Sequence, residues 1–134
     1  MKLMTKGLAE RFRKIGKQEN VKDSIVVAKF FNPAGAGTWW ATEAWYVLQN
    51  GAGVREVNFA DYDPKKYEGY VVIVTNFFGY VSIHGDHCDE WGSFSLSELQ
   101  EFKGQFGLGI ERDLHFGQKP MSKACPKAIE AIGG

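Results

Sequence analysis

Acidic and imidazole side chains alternate near the carboxyl end of the sequence, in a segment whose pattern predicts the last strand of a sheet. Over residues 110–116, a period of two places Glu111, Asp113 and His115 on the same face of that strand. Two carboxylates and an imidazole on one face can transfer protons or bind a divalent cation. Together with Glu43, from an earlier predicted strand, these residues are the candidates for a metal-dependent hydrolase or nuclease.

The same segment is also typical of a charged, solvated surface. Arg112 stands between the two acids, and Lys29 and Lys119 are available for ion pairs. Because the segment contributes neither a nucleophile nor an oxyanion donor, a face with ordinary ion pairs is favoured over catalysis.

The segment from His84 to Glu90 concentrates imidazole, thiol and carboxylate groups, which are the groups that bind transition metals. His84 and His87, with Asp86 between them, can converge on zinc from a tight turn. Their spacing matches no recognised metal site, and polar loops between strands are commonly solvated. A solvated loop is therefore the favoured interpretation, and no cofactor is expected.

Aromatic residues make up 14% of the chain, a surplus in an otherwise ordinary globular composition. Since alternation directs Trp39 and Trp40 to opposite faces of a predicted strand, one belongs in the core and the other is available to a partner. Exposed Trp, Tyr and Arg side chains are enriched at the centres of protein interfaces. Trp45, Tyr80 and Arg112 are further candidates for partner contacts.

The aromatic run over residues 76–83 is similar in part to the strand with which one class of RNA-binding domain stacks on bases. It lacks the leading basic residue and glycine of that strand, and the order of the predicted elements does not suit that fold. Phe77 is predicted to face the core, with Phe78 and Tyr80 exposed. Nucleic-acid binding through these rings and a basic helix face is an alternative to a protein partner.

Composition and the absence of motifs exclude several classes of protein. Sixteen basic residues balance 16 acidic ones, so no global field attracts the chain to nucleic acid or to an anionic membrane. The longest apolar stretches are too short to span a bilayer and no signal peptide follows Met1, so we expect a cytoplasmic protein without a membrane partner. Cys88 and Cys125 are widely separated, which fits a reducing compartment. No phosphate-binding loop, nucleophile elbow or His-Glu-x-x-His motif occurs.

Two helices are predicted with well-defined starts or faces. Apolar residues at helical spacing predict an amphipathic helix over residues 3–15, with a basic outer side. Ser95 and Glu98 form a capping box, which predicts a short helix that ends near Lys103. A further short helix is predicted over residues 127–132, in a tail that begins at residue 120.

Strands are predicted by runs of β-branched and aromatic residues over 25–31, 38–43, 45–48 and 54–59, before the last strand. The clearest strand runs over residues 70–83, with one apolar face that is expected to be central to the core: Val71, Ile73, Phe77, Val81 and Ile83. The predicted fold is one compact α+β domain spanning residues 1–134, with a mainly antiparallel sheet and a core within residues 25–116.

Five segments carry a resemblance to a known family. They read VAKFFNP from Val27, TWWATE from Thr38, FFGYV from Phe77, WGSFSLSEL from Trp91 and GLGIERDLHF from Gly107. In this order they resemble an uncharacterised domain-of-unknown-function family found in bacterial plasmid, integrative-element and phage genes. The stretch over residues 45–70 is longer than is usual there, and Ser93 stands where an aromatic residue is more typical.

The resemblance implies a compact α+β domain encoded by a mobile element, and it brings no reaction, cofactor or catalytic residue. The leading hypothesis is a non-enzymatic accessory protein that binds a macromolecular partner, more plausibly a protein than a nucleic acid. The alternatives are the metal-dependent hydrolase or nuclease and the nucleic-acid-binding protein described above.

Overall fold

A computed structural model describes residues 1–83 and 89–132. Within these ranges the chain forms four α-helices, one 3₁₀ turn (Gln105–Gly107) and eight strands. The helices are α1 (Lys6–Ile15), α2 (Leu96–Glu101), α3 (Met121–Ala124) and α4 (Pro126–Glu130). The strands are β1 (Ile25–Val26), β2 (Ala28–Phe31), β3 (Thr38–Asn50), β4 (Gly53–Asn58), β5 (Val71–Ser82), β6 (Glu90–Ser95), β7 (Glu111–Arg112) and β8 (Lys119–Pro120).

The main sheet has the strand order β6-β5-β3-β2-β7, with β4 beside the second half of β3. All of its strand pairs in the described part of the chain are antiparallel. A separate two-stranded sheet pairs β1 with β8 and so brings the start of the carboxyl-terminal segment against the main sheet. The fold is therefore the single α+β domain with an antiparallel sheet that the sequence predicts.

Helix α1 packs against the first face of this sheet. Leu8 and Phe12 are fully buried there, as the helical spacing of apolar residues predicts. The helix begins at Lys6 because the hydroxyl of Thr5 accepts a hydrogen bond from the Leu8 backbone at 3.1 Å. The prediction that the helix begins at residue 3 is therefore wrong, because the cap at Thr5 sets its start at Lys6.

Strand β3 is a single strand of 13 residues, although the sequence predicts two shorter ones. A bulge at Thr42 explains the difference, because Ala41 lies opposite Gly79 and Glu43 lies opposite Phe78. The Thr42 hydroxyl donates to the Phe78 carbonyl at 3.1 Å within this irregularity. The bulge breaks the alternation of side chains between the two faces of the sheet. A sequence pattern with a period of two therefore predicts two short strands instead of one.

Both faces of the sheet are covered, the first by α1 and α2 and part of the second by α3 and α4. Trp39 belongs to the core of the first face, while Trp40 and Tyr80 pack on the second face with Met121 and Ala128. The expectation that one of the two adjacent tryptophans is exposed is therefore wrong. The core also extends beyond the predicted range of residues 25–116, because both terminal segments contribute buried side chains.

The first half of β5 is not the core strand that its apolar pattern predicts. Phe77 is fully buried, whereas Val71 and Ile73 are 64% and 47% exposed. Strand β6 pairs only from Asn76 onward, so the first half of β5 has a neighbour in β3 alone. A second register shift beside Val47 further disrupts the alternation there.

Candidate functional site

A groove of about 1270 Å³ opens over the part of the second sheet face that α3 and α4 leave uncovered. Its floor comes from three strands and comprises Thr42, Glu43, Trp45, Phe78 and Trp91. Its walls come from residues 17–24, from residues 56–67 and from Ala131 and Ile132 after α4. We call this feature the sheet groove.

The bulge in β3 determines which side chains reach the floor. In an unbroken strand, Thr42 and Ala44 would lie on the same face as Trp40. Because Thr42 is the extra residue, Glu43 and Trp45 share the second face with Trp40, and Ala44 packs in the core of the first face. A local irregularity therefore places a carboxyl group and an indole side by side in the groove.

Glu43 is an acid buried in the groove, with only 9% of its surface exposed. Burial raises the pKa of its carboxyl group, and the nearby charge of Glu19 adds to this effect. A hydrogen bond from the Gln18 backbone and the charge of Lys17 act on the pKa in the opposite direction. The carboxylate form would be stabilised further by a ligand that brings a cation or a hydrogen-bond donor.

The indole nitrogen of Trp45 is buried and has no hydrogen-bond partner among the described residues. Leaving a buried donor unpaired costs roughly 1–3 kcal/mol, which a ligand with a well-placed oxygen would recover. Trp45 lies two positions from Glu43 on the same strand face, so their side chains leave the strand about 7 Å apart. The groove therefore places an indole and a carboxyl group side by side.

The aromatic part of the floor is held in place by ring contacts and by one hydrogen bond. Phe78 and Trp91 stack with centroids 6.0 Å apart, and Trp91 meets Tyr80 edge-on at 5.7 Å. The Trp91 indole donates to the Ala128 carbonyl at 2.9 Å, which ties the floor to α4. These rings form a rigid apolar surface, a kind of surface on which ligands dock at little cost in conformational entropy.

Gln18 holds one wall of the groove against the bulge. Its side-chain amide donates to the carbonyls of Thr42 and Ile25 at 2.7 and 2.9 Å, and its oxygen accepts from the Ile25 backbone at 2.7 Å. Nothing in the sequence sets Gln18 apart, since it stands among Lys17, Glu19 and other residues typical of solvated surface. Its role depends on a partner strand 24 positions away, which no local pattern reveals.

The rim of the groove carries charges of both signs. Three lysines, at positions 17, 22 and 66, and three acids line it: Glu19, Glu56 and Asp61. Lys17 pairs with Asp61 at 3.5 Å across the rim. A mixed rim favours a partner that itself carries both charges over a uniform polyanion.

The three residues of the predicted last strand do not form a site. Strand β7 ends at Arg112, so the expectation that Glu111, Asp113 and His115 share one strand face is wrong. The Asp113 carboxylate accepts from the His115 backbone at 2.9 Å and turns the chain away from the sheet. Asp113 also pairs with Lys29 at 3.9 Å, as the interpretation of a charged surface predicts.

None of these three residues lines the sheet groove, so Glu43 is separated from the acids with which it was grouped. Among residues 1–83 and 89–132, no group of three or more His, Cys, Asp or Glu side chains is placed to hold a metal ion. The predicted metal ligands His84, Asp86 and His87 lie outside the described residues.

The residues predicted to bind a partner lie in different parts of the structure. Trp39, Trp40 and Tyr80 are buried in the two cores and present no surface to a partner. Trp45 is half-buried and lines the groove, which makes it accessible to a ligand. Arg112 lies beside a smaller pocket elsewhere on the molecule.

Comparison with protein families matches the chain over residues 3–54 and 74–132 to a family described as a protein of unknown function, DUF2958. The chain belongs to the DUF2958 family. The resemblance to an uncharacterised domain family is thereby confirmed, and the match leaves out residues 55–73, which overlap most of the stretch over residues 45–70 that the sequence marks as longer than usual. Searches of the curated proteins and of the solved structures found no match.

In the described part of this DUF2958 protein, no helix has the length and apolar character needed to cross a bilayer.

Proposed function

We propose that this DUF2958 protein is a non-enzymatic binding protein whose sheet groove receives an extended segment of a partner protein. The observation that carries the proposal is that the buried Glu43 carboxyl lies next to the Trp45 indole, whose nitrogen has no hydrogen-bond partner among the described residues, on an aromatic floor. The resemblance to plasmid, integrative-element and phage proteins supports an accessory role for a mobile element.

The size and chemistry of the groove favour a peptide over a small molecule. Small-molecule pockets typically measure about 300–1000 Å³ and enclose their ligand, whereas this groove is larger and open. An extended chain advances about 3.3 Å per residue, so two groups about 7 Å apart match positions two residues apart on the ligand. A small rotation of the Trp45 indole would bring its buried N–H to a ligand carbonyl, and Glu43 would accept from a lysine or arginine side chain.

The polar groups of the floor support binding rather than covalent catalysis. The hydroxyl nearest in sequence to Glu43 is that of Thr42, and it donates to the Phe78 carbonyl within the sheet. A nucleophile needs a base that takes its proton, and this hydroxyl is engaged with a backbone acceptor instead. The aromatic pair of Phe78 and Trp91 would contact an apolar side chain next to the basic residue of the ligand.

The test is a selection of random peptides displayed on phage against the purified protein. We expect enrichment of peptides in which a lysine or arginine lies close to an apolar residue. Synthetic copies of these peptides should bind Glu43→Gln and Trp45→Phe at least about tenfold more weakly, which corresponds to about 1.4 kcal/mol. The matched control is Glu111→Gln, the same chemical change at a position outside the groove.

Two results would count against a peptide ligand. One is a selection that enriches no shared pattern, and the other is binding that both groove variants leave unchanged. A labelled single-stranded oligonucleotide tests the nucleic-acid alternative, because lysines at the rim and exposed rings are also features of strand binding. Oligonucleotide binding that weakens steeply with salt and is lost in Trp45→Phe would replace the peptide as the ligand.

A further inference from the structure

We infer that Arg11 and Arg112 form a binding site for an oxyanion, a phosphate or carboxylate group, in a pocket separate from the sheet groove. The two arginines line one pocket of about 270 Å³, together with residues 27–28, 113–114 and 116–118. No residue is common to this pocket and the sheet groove, so the inference does not rest on the proposed peptide ligand.

The position of Arg112 is fixed by the sheet. It pairs with Phe30 in the short ladder between β7 and β2, so its side chain leaves from a rigid element. Its guanidinium Nε is buried and has no hydrogen-bond partner among the described residues. The residue as a whole is half-buried and has no carboxylate partner among the described residues, and an anionic oxygen that reaches its guanidinium would relieve the cost of this burial.

Asp113, the acid that lines this pocket, is not the anionic partner of either arginine. The Asp113 carboxylate pairs with Lys29 at 3.9 Å and accepts a hydrogen bond from the His115 backbone at 2.9 Å. Within the described residues, neither Arg11 nor Arg112 forms an ion pair with a carboxylate. Two guanidiniums and one carboxylate therefore line the pocket, and the carboxylate has its contacts with Lys29 and the His115 backbone.

Guanidinium groups suit oxyanions for a geometric reason. Each presents a planar fork of N–H donors that matches two oxygens of a carboxylate or phosphate. Arg11 comes from α1 and is exposed, whereas Arg112 comes from β7 and is half-buried, so an anion between them would be held from two elements. The pocket has room for a terminal phosphate or carboxylate group and its immediate attachment, but not for a folded partner.

The experiment is a titration of the ¹⁵N-labelled protein with sodium phosphate and, separately, with sodium acetate at constant pH and ionic strength. The side-chain Nε–H signal of Arg112 is assigned as the signal that Arg112→Gln loses. We expect a saturable shift of this signal with at least one of the two anions and none with sodium chloride. Saturation with phosphate alone assigns a phosphate ligand, and saturation with both anions assigns a site that also accepts carboxylates.

Two variants keep the result decisive. Arg11→Gln changes an exposed helix residue, so it should leave the fold intact and weaken anion binding at least about tenfold, followed on the Arg112 signal. Arg55→Gln, the same change at an exposed position outside the pocket, should leave the binding unchanged. No saturable shift with either anion, or equal binding by wild type and Arg11→Gln, would overturn the inference. The peptides selected on the sheet groove should bind Arg11→Gln normally, which separates the two proposals.

Discussion

The side-chain amide of Gln18 donates a hydrogen bond of 2.7 Å to the Thr42 carbonyl, and both residues are buried. Thr42 is the bulged residue of β3, at the point where the edge of this strand passes from pairing with β2 to pairing with β4. Its carbonyl therefore lies between the two partner strands. A side chain supplies the donor that no neighbouring strand provides there.

Gln18→Ala should destabilise the protein by about 2–3 kcal/mol, because it leaves buried backbone groups of Thr42 and Ile25 without a partner. Urea unfolding measures the change. Glu19→Ala is the control, since this neighbour is exposed and should change stability by less than about 0.5 kcal/mol. Equal stabilities of the two variants would show that the Gln18 amide is not needed at the bulge.

Glu43→Gln should make the protein more stable at neutral pH than the wild type. Burial raises the pKa of Glu43 above its ordinary value of 4.5, so at pH values between the two the folded state keeps a proton that the unfolded state has released. Wild-type stability therefore falls as the pH rises from about 4.5 through the folded-state pKa, and the amide variant lacks this loss.

The measurement is the free energy of unfolding of both proteins in urea between pH 4 and pH 8. The advantage of Glu43→Gln should shrink as the pH falls toward the ordinary value of 4.5. A difference between the two proteins that stays constant across this range would contradict the raised pKa.

Trp91→Phe and Trp45→Phe should differ in stability although the chemical change is the same. Trp91→Phe removes the hydrogen bond to the Ala128 carbonyl and should cost about 1 kcal/mol. Trp45→Phe removes a donor that has no partner in the described structure, so it should be neutral within about 0.5 kcal/mol or slightly stabilising. Thermal unfolding of both variants is the test, and a larger loss in Trp45→Phe would mean that its indole is paired.

Gly79→Ala should prevent folding or cost more than about 3 kcal/mol. A Cβ atom at this position would lie 1.8 Å from the Trp40 carbonyl oxygen and 3.1 Å from the Ala41 Cα atom, and both are backbone atoms that cannot move aside. The control is Gly92→Ala on β6, directly opposite in the ladder, where an added Cβ meets nothing within 4 Å. Circular dichroism and urea unfolding should show a native-like control, and two equally stable variants would contradict the close approach.

The elements that depend on local signals are predictable from the sequence. The start of α2 is one example, because the Ser95 hydroxyl accepts from the Glu98 backbone at 3.1 Å, as the capping box predicts. Helix α1 is another, since its buried residues Leu8 and Phe12 follow the helical period. The α+β class and the antiparallel pairing follow from the same kind of local pattern.

Two features are not predictable in this way, a local turn that competes with a strand and a bulge that depends on distant partners. A strand period assigns Asp113 and His115 to β7, but Asp113 bonds its own chain two residues on and ends the strand. The bulge at Thr42 likewise inverts the faces of β3, so no regular alternation places Glu43 and Trp45 together with Trp40. The sheet groove depends on this bulge and on the chain that follows α4, which contributes Ala131 and Ile132 to its wall.

Residues 55–73, which the DUF2958 match leaves out, supply one wall of the sheet groove through Glu56, Asn58, Asp61, Lys66 and Tyr67. The floor residues all belong to the matched part of the chain. Within this wall, residues 55–58 pair with β3 as part of β4, whereas residues 59–70 lie between β4 and β5, where a change in chain length costs little stability. The groove thus combines a floor that lies within the family match with a border that lies partly outside it.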